Sequence, residues 1–285
     1  MSGVTPERFP TPPDAGKGAS NLVLRVAAAL VLAPLTILIA WIGGWLWAAL
    51  VVAAAALLYF EWLMVVGASR NRFAVAAGIA TLAIVGILLV LRRPDVALGI
   101  TIAGLIMASV FAQGQQRWVA SGFLYAAAAL FAAILVRLDA GLGFIALIFV
   151  LLIVWVTDIG GYFAGRGIGG PKLWPRVSPK KTWAGAAGGL VFSLVVAAAF
   201  AVLGFGKMLP LLILGMVLSV VSQLGDLFES AIKRRFGVKD SSHIIPGHGG
   251  LLDRLDGFVA AIVFAAVIGF IRGGIDGVGR GFMVW

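Results

Sequence analysis

Residues 141–163 read GLGFIALIFVLLIVWVTDIGGYF, and this run contains a single charged side chain, Asp158. A helix needs about 20 mostly apolar residues to cross the hydrocarbon core of a bilayer. The run meets that length and composition, so it predicts a membrane-spanning helix. Asp158 lies near the end of the span, where a carboxylate costs less than at the bilayer centre.

Apolar runs of similar length recur along the whole chain. They predict nine spans, at residues 22–41, 44–66, 73–91, 95–112, 118–136, 141–163, 183–204, 208–229 and 255–271. The 285-residue chain is 61% hydrophobic and only 12% charged, whereas soluble domains carry about 25% charged residues. The sequence therefore predicts an all-α, polytopic transmembrane protein and excludes a soluble globular domain.

The net charge of +10 is accounted for by membrane topology. Lys and Arg concentrate in the cytoplasmic loops of polytopic proteins. With the N-terminus inside, most of the 22 Lys and Arg residues fall on the cytoplasmic side, chiefly in the polar loops 164–182 and 230–256. The rest of the chain is balanced. We expect no nucleic-acid partner, because no basic soluble domain with interleaved aromatic residues is present.

The polar segment 230–256 reads SAIKRRFGVKDSSHIIPGHGGLLDRLD and lies between two apolar runs. Ionisable side chains are rarely gathered in a membrane protein without a function. Its basic groups and glycine amides suit phosphates, and its aspartates suit Mg²⁺. The segment therefore predicts phosphate chemistry at a membrane surface.

Three carboxylates lie where the last two predicted spans end and begin. Asp226 is near the end of the eighth span, and Asp253 and Asp256 lie at the start of the ninth. If these spans are neighbours, all three side chains can reach one Mg²⁺ ion. Two structural alternatives stay open: an interfacial salt bridge of Asp226 with Glu229 and Lys233, and helix capping by the other two aspartates.

The sequence PGHGG at 246–250 separates these carboxylates. The bare amides of Gly249 and Gly250 can cradle a phosphate, although a tight turn would also account for the glycines. His248 suits a base or a phosphate donor, whereas we expect no role for His243.

A second polar segment, TDIGGYFAGRGIGGPKLWPRVSPKKTWAG, runs from Thr157 to Gly185. Either Ser178 or Thr182 can cap the helix that follows. Lys180 and Lys181 then lie beside a helix N-terminus, which predicts a triphosphate site. The alternative is a juxtamembrane basic loop that binds anionic lipid.

The two segments together resemble the phosphatidate cytidylyltransferase (CDP-diacylglycerol synthase) family. Segment 230–256 matches the family signature S-x-x-K-R, four residues, K-D, a variable stretch, then P-x-H-G-G-x-x-D-R-x-D. The other segment is similar to the family pattern D-x-x-A-Y, G-R and SPKKTWEG, with two departures. Gly161 precedes the tyrosine, and Ala184 stands where glutamate is usual. The resemblance covers the C-terminal half of the chain.

The resemblance implies a Mg²⁺-dependent membrane enzyme that transfers CMP from CTP to phosphatidic acid. The products would be pyrophosphate and CDP-diacylglycerol, for phospholipid synthesis. It implies a monovalent cation such as K⁺ as a second ion, and a homodimer in the lipid bilayer. The expected location is the bacterial inner membrane, with the active site facing the cytoplasm.

Site roles follow from the residues and the resemblance together. The predicted metal ligands are Asp226, Asp253 and Asp256, and the predicted catalytic residues are these three with Lys233 and His248. The predicted substrate-binding residues are Asp158, Ser178, Lys180, Lys181, Thr182, Lys233, Arg234, Lys239, Asp240, Gly249, Gly250 and Arg254.

The chain divides into three parts on this basis. We expect a disordered cytoplasmic tail over 1–20, N-terminal transmembrane helices over 21–140, and a catalytic transmembrane domain with two cytoplasmic polar loops over 141–285. Two other functions stay open: a CTP-dependent lipid kinase or other lipid-phosphate transferase, and an ion-coupled transporter. The long signature disfavours the first. A transporter would have charged residues near the centres of its spans, whereas the charged residues of this chain lie near span ends and in loops.

Overall fold

The structure is a computed structural model, and it describes residues 31–112, 114–242 and 249–285. This part of the chain is almost entirely helical, with one short hairpin. The helices are α1 (Val31–Ile42), α2 (Gly44–Val65), α3 (Arg72–Val90), α4 (Pro94–Phe111), α5 (Gln116–Leu138), α6 (Gly143–Gly167), α7 (Trp183–Val202), α8 (Met208–Arg235), α9 (Leu252–Gly273) and α10 (Val278–Met283).

Within the described ranges, eight helices, α2 to α9, are long and apolar enough to cross a membrane. This confirms the prediction of an all-α polytopic membrane protein. The first predicted span, 22–41, begins outside the described residues, and its described part lies in the shorter helix α1. The predicted tail over 1–20 also lies outside them.

The helices next to the polar segments extend further than the hydropathy predicts. Helix α6 continues to Gly167 rather than residue 163, α8 continues to Arg235 rather than 229, and α9 begins at Leu252 rather than 255. The apolar run ends where the hydrocarbon of the bilayer ends, whereas helical hydrogen bonds continue into the polar interface. Lys233 and Arg234 therefore belong to α8, and the helix fixes the direction of their side chains.

The segment between α6 and α7 contains an antiparallel hairpin. Strand β1 (Lys172–Trp174) pairs with β2 (Ser178–Thr182), so that Lys172 lies opposite Thr182 and Trp174 opposite Ser178. The Val177 N–H donates to the Trp174 carbonyl at 3.1 Å across the turn. Pro175 follows Trp174, the position where proline favours such turns.

Helices α6 and α7 pack backbone against backbone. A Cβ atom at Gly185 would lie 2.8 Å from the Gly161 carbonyl oxygen, and one at Gly189 would lie 2.6 Å from that of Thr157. Small residues allow such close approach between helices in membranes. The contact brings the end of α6 and the hairpin against the start of α7.

The connections alternate between two ends of the helix bundle. At one end, the Asn71 side chain donates to the Phe111 carbonyl, and the Leu252 N–H donates to Glu61 at 2.7 Å. At the other end, Arg92 donates to the Leu138 carbonyl at 2.9 Å. Both polar segments lie at the first end, as the predicted topology requires.

We expect this first end to face the cytoplasm, and the chain is suited to the test because it has no cysteine. A Lys172→Cys variant should react with a membrane-impermeant maleimide only when the cytoplasmic side is accessible. Labelling in sealed spheroplasts and in inverted vesicles separates the two sides.

The matched variant is Asp276→Cys, whose native side chain is 84% exposed at the opposite end. It should react only from the other side. Labelling of Lys172→Cys in intact spheroplasts would contradict the topology.

Candidate active site

A cavity of about 520 Å³ opens between α6, α7, α8 and the hairpin. Its volume is typical of small-molecule sites. The charged and capping residues that line it are Asp158, Arg166, Lys180, Lys181, Thr182 and Asp226. Five of these six are predicted site residues, so the structure brings the polar segment 157–185 and Asp226 of α8 to one cavity.

An ion pair joins the polar segment 157–185 to α8 inside this cavity. The Lys181 ammonium, from β2, contacts the Asp226 carboxylate on α8, and both side chains are about 30% exposed. The Ser230 hydroxyl lies 3.3 Å from Asp226 Oδ1. The alternative of a salt bridge among Asp226, Glu229 and Lys233 is therefore only partly observed. Glu229 pairs with Lys233, whereas Asp226 pairs with Lys181.

The start of α7 forms one wall of the cavity. Thr182 is the N-cap residue, and its hydroxyl oxygen accepts a hydrogen bond from the Gly185 N–H at 3.1 Å. This selects Thr182 over Ser178 as the cap, and Ser178 lies in β2 outside the cavity lining. A helix N-terminus favours anions because its first N–H groups point outward.

Three carboxylates, Asp158, Asp226 and Asp256, are near enough to interact electrostatically, and the first two also interact with Lys181. Asp256, near the start of α9, is within electrostatic range of Asp226 and Asp158. Helix α9 approaches α8 closely here, because a Cβ atom at Gly225 would lie 2.7 Å from the Asp256 carbonyl oxygen. Neighbouring carboxylates repel one another, so this grouping favours a cation.

Asp253 lies in a different set of contacts. Its Oδ1 lies 2.7 Å from Lys233 Nζ, and its Oδ2 accepts hydrogen bonds from the Ser241 and Gly250 N–H groups at 3.0 Å. Lys233 also lies 2.7 Å from the buried Glu229 carboxylate. The oxygens of Asp253 are thus already occupied by protein donors.

The structure brings together two of the three predicted metal ligands, Asp226 and Asp256. Among the residues that the structure describes, no group of three or more His, Asp or Glu side chains is arranged to hold a metal ion. Positions i and i+3 of a helix differ by about 60° around the axis. Asp253 contacts Lys233 at the end of α8 together with the Ser241 and Gly250 N–H groups, whereas Asp256 interacts electrostatically with Asp226. The metal assignment stays a prediction.

The other predicted binding residues lie on or near the same end. Arg234 donates to the Val238 carbonyl at 3.1 Å, Lys239 and Asp240 are exposed, and Arg254 lies in the first turn of α9. The Gly250 N–H is directed at Asp253 rather than open for a phosphate.

Gly249 has a φ of +83°, a conformation that suits glycine. His243 and His248 lie outside the described residues, so their predicted roles stay predictions.

Comparison with known proteins assigns the chain to a family. A model of the cytidylyltransferase family matches residues 23–271. The chain belongs to the cytidylyltransferase family. The match also includes the N-terminal helices, so the relationship extends beyond the C-terminal half that carries the motifs.

Named relatives of this cytidylyltransferase are bacterial. The phosphatidate cytidylyltransferases of Brucella suis and Brucella melitensis are each 40% identical to it over 259 residues, which cover 88% of this chain and 94% of the relative. That of Bacillus subtilis is 49% identical over 118 residues, covering 40% of this chain and 43% of the relative.

Sequence analysis missed one residue that this cytidylyltransferase places beside the site, Glu61 of α2. Its side chain is fully buried and accepts hydrogen bonds from residues of the segment 230–256. The signal was present, because an ionisable residue inside an apolar span indicates a functional position.

The Thr182 cap predicts a measurable contribution to stability. Thr182→Val keeps the shape of the side chain but removes the oxygen that accepts from Gly185, which should lower the free energy of unfolding by about 1 kcal/mol. Reversible unfolding in mixed micelles measures this difference. Ser178→Ala leaves the cap intact and serves as the control, and equal stability of the two variants would contradict the capping role.

Proposed function

We propose that this protein is a phosphatidate cytidylyltransferase, which transfers CMP from CTP to phosphatidic acid. The observation that carries the proposal is the cavity in which a lysine pair and a helix N-terminus face carboxylates at one end of a membrane bundle. The names of the bacterial relatives support the same activity.

The CTP triphosphate fits the basic side of the cavity. Lys180 and Lys181 supply two positive charges, and the capped start of α7 adds the partial positive charge of a helix N-terminus. Lysines act on phosphate as point charges. When CTP binds, Lys181 can exchange its contact with Asp226 for one with a phosphate oxygen, because both groups are partly exposed to the same cavity.

We propose Mg²⁺ as the cofactor, held by Asp226 and Asp256 with Asp158 nearby. The donor set fits, because Mg²⁺ takes carboxylate and phosphate oxygens and keeps several waters. Bound there, the ion would neutralise charge on the CTP phosphates. Asp253 would instead fix Lys233 and the backbone before α9. A second, monovalent ion such as K⁺ stays a prediction.

The transfer itself needs positioning more than acid–base chemistry. An oxygen of the phosphatidate phosphate forms a bond to the α-phosphorus of CTP, and the bond from that phosphorus to the β-phosphate oxygen breaks, releasing pyrophosphate. The attacking phosphate is already anionic near neutral pH, so it requires no strong base. The basic residues of the site lower the repulsion between the two anions and hold them in line.

The lipid phosphate would bind to the exposed basic residues at the end of α8. Arg234 and Lys239 are exposed there, whereas Lys233 is engaged by Asp253 and Glu229. The acyl chains would stay in the bilayer. We propose that this end of the bundle faces the cytoplasm of a bacterial inner membrane, where CTP is available; the homodimer stays a prediction.

Product analysis tests this function. Purified protein with phosphatidic acid, Mg²⁺ and α-³²P-labelled CTP should give a labelled lipid that co-migrates with CDP-diacylglycerol. With γ-³²P-labelled CTP, the label should appear in pyrophosphate. Transfer of the γ-label to lipid would identify a lipid kinase and reject the proposal.

Asp226→Asn and Asp256→Asn should each remove most of this activity, since each loses a carboxylate of the proposed ion site. Asp95→Asn is the control, because Asp95 lies in α4 with an exposed side chain that pairs with Arg93.

Lys181→Ala tests the assignment of the triphosphate site. Loss of one charged contact to phosphate should lower kcat/KM for CTP by about tenfold or more, and Lys181→Arg should be milder because it keeps the charge. Steady-state kinetics with varied CTP at saturating phosphatidic acid measures the effect. Lys207→Ala, an exposed lysine at the start of α8, is the matched control.

The competing account is that the loop only binds anionic lipid. It predicts that Lys181→Ala weakens binding to anionic vesicles and leaves the CTP dependence unchanged.

A further inference from the structure

Glu61 carries the most fully satisfied buried carboxylate among the described residues outside the cavity. It lies in α2 with no exposed surface. Its Oε1 accepts hydrogen bonds from the Ser242 hydroxyl at 2.7 Å and the Leu251 N–H at 3.0 Å. Its Oε2 accepts from the Leu252 N–H at 2.7 Å and lies 3.2 Å from the Ser241 hydroxyl. A carboxylate has about four acceptor positions, so the whole capacity of Glu61 is used.

These contacts make Glu61 the cap of another helix. Leu251 is the N-cap residue of α9 and makes no side-chain capping bond, so the first N–H groups of that helix need an acceptor from elsewhere. Glu61 supplies it from α2, which is distant in sequence. Its negative charge at the N-terminus of α9 is also favoured by the helix dipole.

The same contacts fix the backbone on which Asp253 depends. The Ser241 hydroxyl lies 3.2 Å from Glu61 and 3.1 Å from Asp253 Oδ2, so it bridges the two carboxylates. A Cβ atom at Gly250 would lie 1.9 Å from the Ser241 hydroxyl oxygen and 2.6 Å from Glu61. The backbone therefore passes directly over Glu61 with room for glycine only.

We infer that Glu61 is a positioning residue for the transfer reaction. It fixes the start of α9 through Leu251 and Leu252, and through that helix it sets Asp253 and Asp256 relative to Asp226. The inference rests on the proposed function. Glu61 is absent from the lining of the CTP cavity, so it acts on the carboxylates and leaves the triphosphate contacts alone.

Glu61→Gln tests this by replacing one carboxylate oxygen with an NH₂ group, with almost no change in the shape of the side chain. An amide keeps one acceptor oxygen, but its NH₂ group must then face donors that it cannot accept from. We expect kcat to fall by about 10- to 100-fold, as for residues that orient ligands of a metal site, while KM for CTP stays within about threefold. Glu61→Asp keeps the charge on a shorter side chain and should retain intermediate activity.

Hydrogen exchange supplies a readout independent of turnover. In Glu61→Gln, the peptide covering 249–255 should exchange faster, because the Leu251 and Leu252 amides bond to different oxygens of Glu61 and one of them loses its acceptor. Peptides from α7 should exchange as in the parent protein. The control is Thr81→Ala: Thr81 is also buried in the N-terminal half, and its hydroxyl donates to the Ala77 carbonyl of its own helix at 2.7 Å. It should keep kcat within about twofold and show unchanged exchange at 249–255.

Three results would overturn the inference: parental kcat in Glu61→Gln, a loss of kcat with unchanged exchange at 249–255, or faster exchange throughout α7 as well. If Glu61→Gln does not fold, Glu61→Asp decides by the same two measurements. A parent protein without cytidylyl transfer would reject the proposed function, whereas the exchange measurement would still test whether Glu61 holds the start of α9.

Discussion

The contact between Lys181 and Asp226 joins the polar segment 157–185 to helix α8. Lys181 lies in strand β2 of the hairpin between α6 and α7, and Asp226 lies about two and a half turns before the end of α8. Neither charge would be stable alone near the hydrocarbon, because an isolated ionised group there costs several kcal/mol. Each is stabilised by the other and by the water of the open cavity. The cavity, the start of α7 and the carboxylates of α8 and α9 are all arranged around this pair.

The other charged groups of the site also need partners, because an unpaired charge near the hydrocarbon is costly. Asp253, Lys233 and Glu229 form a second charged cluster, with side chains that are nearly buried. Asp253 receives two backbone N–H groups in addition to the lysine. Lys181 and Lys233 thus each pair with carboxylates of the site, on Asp226 in the first case and on Glu229 and Asp253 in the second.

The N-terminal helices contribute to the site through packing and through one carboxylate. Trp62, next to Glu61, is buried and donates to the Trp118 carbonyl at 2.9 Å, which ties α2 to α5. A Cβ atom at Gly122 would lie 2.2 Å from the Trp62 ring, so α5 can approach only because it has glycine there. This packing fixes the position of α2, and with it the position of Glu61 against the start of α9. This agrees with a family match that begins at residue 23 rather than in the motif-bearing half.

The sequence by itself determined the fold class, the number of described spans and the family. Long uncharged runs leave no alternative to helices in a membrane, because every backbone group must be paired within its own segment. It also predicted Thr182, Lys181 and Asp226 as site residues, and these three line one cavity in the structure.

The tertiary structure alone decided which of these side chains meet. Asp226 pairs with Lys181 rather than with Lys233, and Lys233 pairs instead with Asp253. Glu61 finds its partners about 180 residues away along the chain. Such pairings depend on how helices pack and how far each is rotated about its axis, and local sequence periodicity does not specify either quantity.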